Sequence, residues 1–134
     1  MWVLVDSSAW VAFFRDEQHD PHHPLRLLAG EKRLATNWVI RLELLTGAMS
    51  EADYRSLEGQ LRDLRELQLT EDVWASAARL RWILRRQGAL FSVPDIVIAS
   101  CAMAYDCELL HTDRHFDLIA KHAPLKIYKS SRIF

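Results

Sequence analysis

Four acidic residues stand in this chain where acids are costly. Asp6 ends the apolar run Trp2-Val3-Leu4-Val5, and Glu43 lies inside the apolar stretch from Trp38 to Leu45. Asp95 opens the apolar stretch Ile96 to Ala104, and Asp113 closes the run Glu108-Leu109-Leu110-His111-Thr112. An ionised carboxylate avoids such surroundings unless its charge is compensated. A divalent cation shared among the four would compensate it. Hard oxygen donors suit Mg²⁺ or Mn²⁺, with positions left for water and phosphate oxygens. Such an ion lowers the pKa of a bound water and offsets charge on a phosphate, so the expected chemistry is metal-assisted phosphodiester hydrolysis.

Each acid also has an ordinary reading. Asp6 follows a strand and can cap the next helix, although Ser7 and Ser8 could do so instead. Glu43 could form a structural ion pair with Arg41 or with an arginine of another helix. Asp95 lies three residues after Ser92, the spacing of a capping box, and a helix amino terminus keeps a carboxylate ionised, so capping and metal binding are compatible. Asp113 or Thr112 can start the helix that follows. What separates the two readings is whether the four acids converge at one edge of one sheet.

The elements that must position them alternate. Residues 2–5 read as a buried strand, 9–14 as a helix, 15–24 as a polar loop, 25–29 as a short helix and 33–36 as a weak strand. Helices follow over 38–49, with Trp38, Leu42, Leu45 and Met49 on one stripe, and over 51–66, opened by Ser50 and Asp53. Residues 67–69 read as an edge strand, 71–87 as an amphipathic helix ended by Gly88, and 93–106 as a helix apolar nearly all round. A strand over 108–112, a helix over 114–122 and a strand over 125–128 complete the chain. This alternation predicts one α/β domain over residues 1–134, a parallel sheet between helical layers. Ligands of such sheets bind beyond the carboxyl ends of the strands, where Asp6 and Asp113 fall.

Composition sets the outer limits. The chain has 134 residues, half of them apolar and 26% charged, with a net charge of −1, so it can bury an ordinary core and carries no global field that advertises nucleic acid or membrane. Cys101 and Cys107 are the only cysteines and read as reduced thiols of a cytoplasmic protein. No leader is expected, because Asp6, Arg15 and Asp16 break the apolar start, and no run is long enough to span a bilayer.

Four segments together resemble a PIN-domain ribonuclease, and more narrowly a VapC-type toxin of a type II toxin–antitoxin system. They are Val3-Leu4-Val5-Asp6-Ser7-Ser8-Ala9-Trp10-Val11, Arg41-Leu42-Glu43-Leu44-Leu45-Thr46-Gly47, Pro94-Asp95-Ile96-Val97-Ile98-Ala99 and Leu110-His111-Thr112-Asp113-Arg114-His115-Phe116. The resemblance implies a three-layer α/β/α sandwich with strand order 3-2-1-4-5 and an endoribonuclease using Mg²⁺ or Mn²⁺. It implies Asp6, Glu43, Asp95 and Asp113 as catalytic metal-binding acids, Ser8 and Thr112 as supporting polar residues and Asp117 as an extra acid. It also implies an RNA substrate, a homodimer, and a cognate VapB-type antitoxin that brings a helix and often an arginine to the acids.

Other features carry less. His19, His22 and His23 read as part of a solvated loop. Arg79, Arg81, Arg85 and Arg86 read as a solvated face paired with acids, or as a phosphate track, and Lys121, Lys126, Lys129 and Arg132 share that ambiguity. Trp38, Trp74 and Trp82 read as core or dimer contacts. Two rivals remain: a PIN-like module that binds protein without catalysis, and a haloacid-type phosphatase, which wants an aspartate where Ser8 stands. A P-loop enzyme is disfavoured, since its glycine-rich lysine motif does not occur.

Overall fold

The computed structural model describes residues 1–129. Val3–Val5 forms β1, and all three side chains are buried because the strand lies in the middle of the sheet with neighbours on both sides. Ser7–Phe14 is α1 and Pro24–Gly30 is α2, leading to β2 at Leu34–Thr36. Trp38–Thr46 is α3, capped by Asn37, whose side chain accepts from Ile40 N. Glu51–Arg62 is α4, capped by Ser50, and Arg65–Glu66 is β3. Glu71–Arg86 is α5, Val93–Ala104 is α6, Glu108–Leu110 is β4, Arg114–Ala120 is α7 and Lys126–Ile127 is β5.

The five strands form one parallel sheet in the order β3-β2-β1-β4-β5, the order expected, within a three-layer α/β sandwich. β1 registers Val3 against Leu34 and Glu108, which sets Asp6 just past the carboxyl end of the central strand. Helix α6 packs against α3, α5, α7 and β4, and Ile96 to Ala102 are buried without interruption, as its all-round apolar character requires.

Four sequence expectations shift. Helix α3 stops at Thr46 with Gly47 as its cap, and its core face is Ile40, Leu44 and Leu45, whereas Trp38, Leu42 and Met49 are exposed. The edge strand is the polar pair Arg65-Glu66, not 67–69. Ladder pairing with Ala35 and Thr36 is a backbone matter, and Arg41 holds the Glu66 charge at 2.8 Å, so polar residues suffice at this edge. Leu67 leaves the strand and turns into the core. His23 is not part of a solvated loop: it is buried, its Nδ1 accepts from Leu25 N to cap α2, and it lies edge-on to Phe13. Gly88 does end α5, with a left-handed φ of 84° that a side chain would strain.

Helix α7 is short and is held by Phe116, which is wholly buried against the core. Phe116→Ala therefore should destabilise the protein by about 3–5 kcal/mol, read as a lowered urea midpoint at unchanged slope.

Candidate metal centre

Helix starts bring the acids together. Asp6 is the cap of α1: its Oδ2 accepts from Ser8 N at 3.0 Å and from Ser8 Oγ at 2.6 Å. Ser8 Oγ in turn accepts from Thr112 N at 3.0 Å, which ties the end of β1 to the end of β4. Ser8 thus donates to the Asp6 carboxylate, while Thr112 contributes its backbone amide and is itself exposed. Asp113 caps α7, its Oδ1 accepting from His115 N at 2.9 Å. Asp95 stands in the first turn of α6, where its backbone N donates to Ser92 Oγ at 3.2 Å. Glu43 projects from the middle of α3, and Ser7 Oγ donates to its Oε1 at 3.1 Å.

Asp6, Glu43, Asp95 and Asp113 line one cleft of about 360 Å³, together with Ser7, Ser8, Thr112 and Arg15. Among the described residues, no lysine or arginine lies within ion-pair distance of any of the four. Arg41, the cation that could have made Glu43 structural, is engaged by Glu66. Burial pushes the Asp6 carboxyl above the usual carboxylate value, and the Asp95 charge adds to the rise, against the pull of the Ser8 hydrogen bonds. Glu43 is raised as well, first by desolvation and then by the Asp6 charge, with Asp95 adding further. These are carboxylates sharing one cleft that no lysine or arginine among the described residues pairs with. Asp95 and Asp113, together with His115, each offer a donor atom within 4.8 Å of the others, while Asp6 and Glu43 share the cleft lining with them.

Asp117 stands apart. Its Oδ1 lies 3.3 Å from Nε2 of the buried His111, and it does not line the cleft. His111 Nδ1 accepts from Asp113 N at 3.0 Å, so its other nitrogen is the one that can carry the proton towards Asp117. Burial holds the His111 imidazole below its ordinary pKa. His111 is therefore a positioning residue beneath Asp113. His115 is a second residue that the sequence reading assigned no role: its Nδ1 lies 3.3 Å from Asp95 Oδ2 and 3.4 Å from Asp113 Oδ1. The alternation His111-x-Asp113-x-His115 at a strand end is the signal that could have found both.

Because the folded state holds the Asp6 proton more tightly than the unfolded chain does, this group favours folding below the ordinary carboxylate pKa. That contribution is lost as pH rises through the folded value. At pH 7 the ionised side chain opposes folding of the metal-free protein. Asp6→Asn keeps an oxygen acceptor for Ser8, so it should raise the melting temperature in chelator at pH 7 by a few degrees. The gain should shrink towards pH 4, as calorimetry at both values can check.

The model of the PIN domain matches residues 3–122. The chain is 31% identical over 123 residues to the VapC ribonuclease Mb1587 of Mycobacterium bovis, spanning 89% of this chain and 92% of that protein. It is 32% identical over 120 residues to ribonuclease VapC21 of Mycobacterium tuberculosis, spanning 87% and 85%. Among solved structures, DNA-bound VapBC from Salmonella typhimurium superposes with a TM-score of 0.80 at 19% identity, covering 96% of this chain and 97% of that one. VapBC2 from Rickettsia felis, bound to a fragment of its promoter, gives 0.78 at 21% identity over 96% and 98%. These two likenesses concern the fold; the sequence matches carry the kinship. With 120 of its residues matching the domain, the chain belongs to the PIN-domain family, and within it to the VapC ribonucleases.

Proposed function

We propose that this protein is the toxin of a type II toxin–antitoxin pair, a divalent-metal-dependent endoribonuclease acting as one domain in the cytoplasm. The observation that carries the reading is the cleft itself. Four carboxylates from four separate elements line it, and none has a lysine or arginine partner among the described residues. Bound there, the ion supplies an activated water and offsets charge on the scissile phosphate. Asp6, Glu43, Asp95 and Asp113 hold the ion, and the Ser8 and Ser7 hydroxyls fix the carboxylate orientations of Asp6 and Glu43. Arg15, at the cleft wall, is placed to steady an RNA phosphate.

An apolar groove of about 590 Å³ shares Ser7 and Glu43 with the cleft and continues past Val11, Phe14 and Met49. Phe14 and Met49 are exposed there, which supports an antitoxin helix seated beside the acids. A homodimer has support from Trp74, Trp82 and Val93, exposed side chains that line a second groove between α5 and α6. On the same helix the guanidinium groups of Arg79 and Arg86 stack on Trp82 at 4.9 and 5.0 Å, and Arg81 Nε donates to Phe91 O at 2.9 Å. The arginines therefore dress an aromatic surface; none of them pairs with an acid among the described residues. Arg132 lies outside the described residues. Both cysteines are free and buried, and burial pushes the Cys101 thiol up to about 11, which suits reduced, unreactive groups. Among the described residues no helix is long and apolar enough to cross a membrane.

Asp6→Ala or Asp95→Ala should lower cleavage of a single-stranded RNA by roughly a hundredfold or more while far-ultraviolet circular dichroism stays unchanged. Full activity in either variant would remove these acids from the site. EDTA should abolish cleavage by the wild-type protein and added Mg²⁺ or Mn²⁺ should restore it; cleavage that survives the chelator would refute metal dependence.

A further inference from the structure

The ring nitrogen of His115 stands within reach of two carboxylates that line the acidic cleft. Its Nδ1 is 3.3 Å from Asp95 Oδ2 and 3.4 Å from Asp113 Oδ1, and one donor atom from each of Asp95, Asp113 and His115 lies within 4.8 Å of the others. Charge-assisted N–H···O contacts prefer about 2.7–2.9 Å, so these separations are long for a direct ion pair. They are close to the spacing of adjacent donors on a common ion. Two ligands at right angles on an ion roughly 2.1 Å away are about 3 Å apart. The backbone is committed as well. His115 N donates to Asp113 Oδ1, His111 receives the Asp113 amide, and the next residue, Phe116, is fixed in the core. The imidazole itself is half open to solvent, so it is free to settle onto an ion without disturbing the packing.

We propose that His115 is a nitrogen ligand of the metal centre and biases it towards Mn²⁺ over Mg²⁺. The proposal rests on the metal-dependent reading above and adds to it a donor type and a choice of ion. Mg²⁺ takes oxygen ligands and parts reluctantly with water, whereas imidazole suits the transition metals. A site with four carboxylates alone discriminates weakly between Mg²⁺ and Mn²⁺. Replacing one water by an imidazole tilts it to the softer ion.

The test uses metal-free, full-length protein titrated separately with MnCl₂ and MgCl₂ in a calorimeter, as wild type, His115→Ala and His115→Asp. His115→Ala should weaken Mn²⁺ binding by roughly tenfold and Mg²⁺ binding by less than about threefold. His115→Asp, which offers oxygen in place of nitrogen, should shift the preference back towards Mg²⁺. Electron spin-echo modulation of the Mn²⁺-loaded wild type should carry a directly bound nitrogen that His115→Ala removes. Mn²⁺ binding without that nitrogen signal, or with a signal that persists in His115→Ala, would overturn the ligand assignment. So would tighter Mn²⁺ binding by His115→Ala, the behaviour of a counter-charge that the ion displaces. Equal losses for the two ions would overturn the selectivity. A folded wild-type protein that takes up neither ion would overturn the metal-centre reading itself, and this proposal with it.

Discussion

The constraint at the centre of this structure is the gathering of four carboxylates into one partly buried cleft. Among the described residues no lysine or arginine pairs with any of them, and the backbone fixes where they stand. Asp6 follows directly from a strand buried at the centre of the sheet, and its backbone N donates to Leu110 O, so it cannot retreat. Part of the charge is met by helix amino termini: Asp6 begins α1 and Asp95 sits in the first turn of α6, where unpaired amides and the helix dipole favour an anion. Burial first, and neighbouring acids second, leave Asp6 and Glu43 with raised proton affinity.

This arrangement explains why capping and ligation are not rival readings. Asp6 and Asp113 both cap helices and both line the cleft. A cap uses one face of a carboxylate and fixes its rotamer, and a fixed rotamer is what a multi-donor site requires. For Glu43 the alternatives did exclude each other. An ion pair with Arg41 or another arginine would have made it structural; Glu66 takes Arg41, and no other lysine or arginine among the described residues pairs with Glu43.

Most of the fold was legible because its signals are local. Continuous apolar runs marked β1 and α6, and Ser50 and Ser92 marked helix starts, each of them an observed cap. What was not legible depends on tertiary choice. Of the expected stripe Trp38, Leu42, Leu45 and Met49, Leu45 is buried and the other three are exposed, because α3 turns Ile40 and Leu44 into the core beside Leu45. Periodicity names a face without saying what covers it. β3 escaped because an edge strand of two residues needs only backbone pairing, which no side-chain pattern records. At the site the four acids were readable by type and setting, whereas Ser7, His111 and His115 were not. Their parts depend on contacts between α1 and α3 and across the end of β4, and those exist only once the sheet has formed.

The cleft is graded from rigid to open. At its inner end Asp6 is buried at the carboxyl end of the central strand, held by Ser8 and through it by the amide of Thr112. At its outer end Asp113 and His115 ride on a short helix whose buried anchor is Phe116. A change of side chain at the inner end touches the hydrogen bonds that join a helix cap to a strand end. A change at position 115 meets solvent on one side and two carboxylates on the other. The outer end is therefore where the chemistry of such a site can vary without cost to the fold, and here it carries an imidazole.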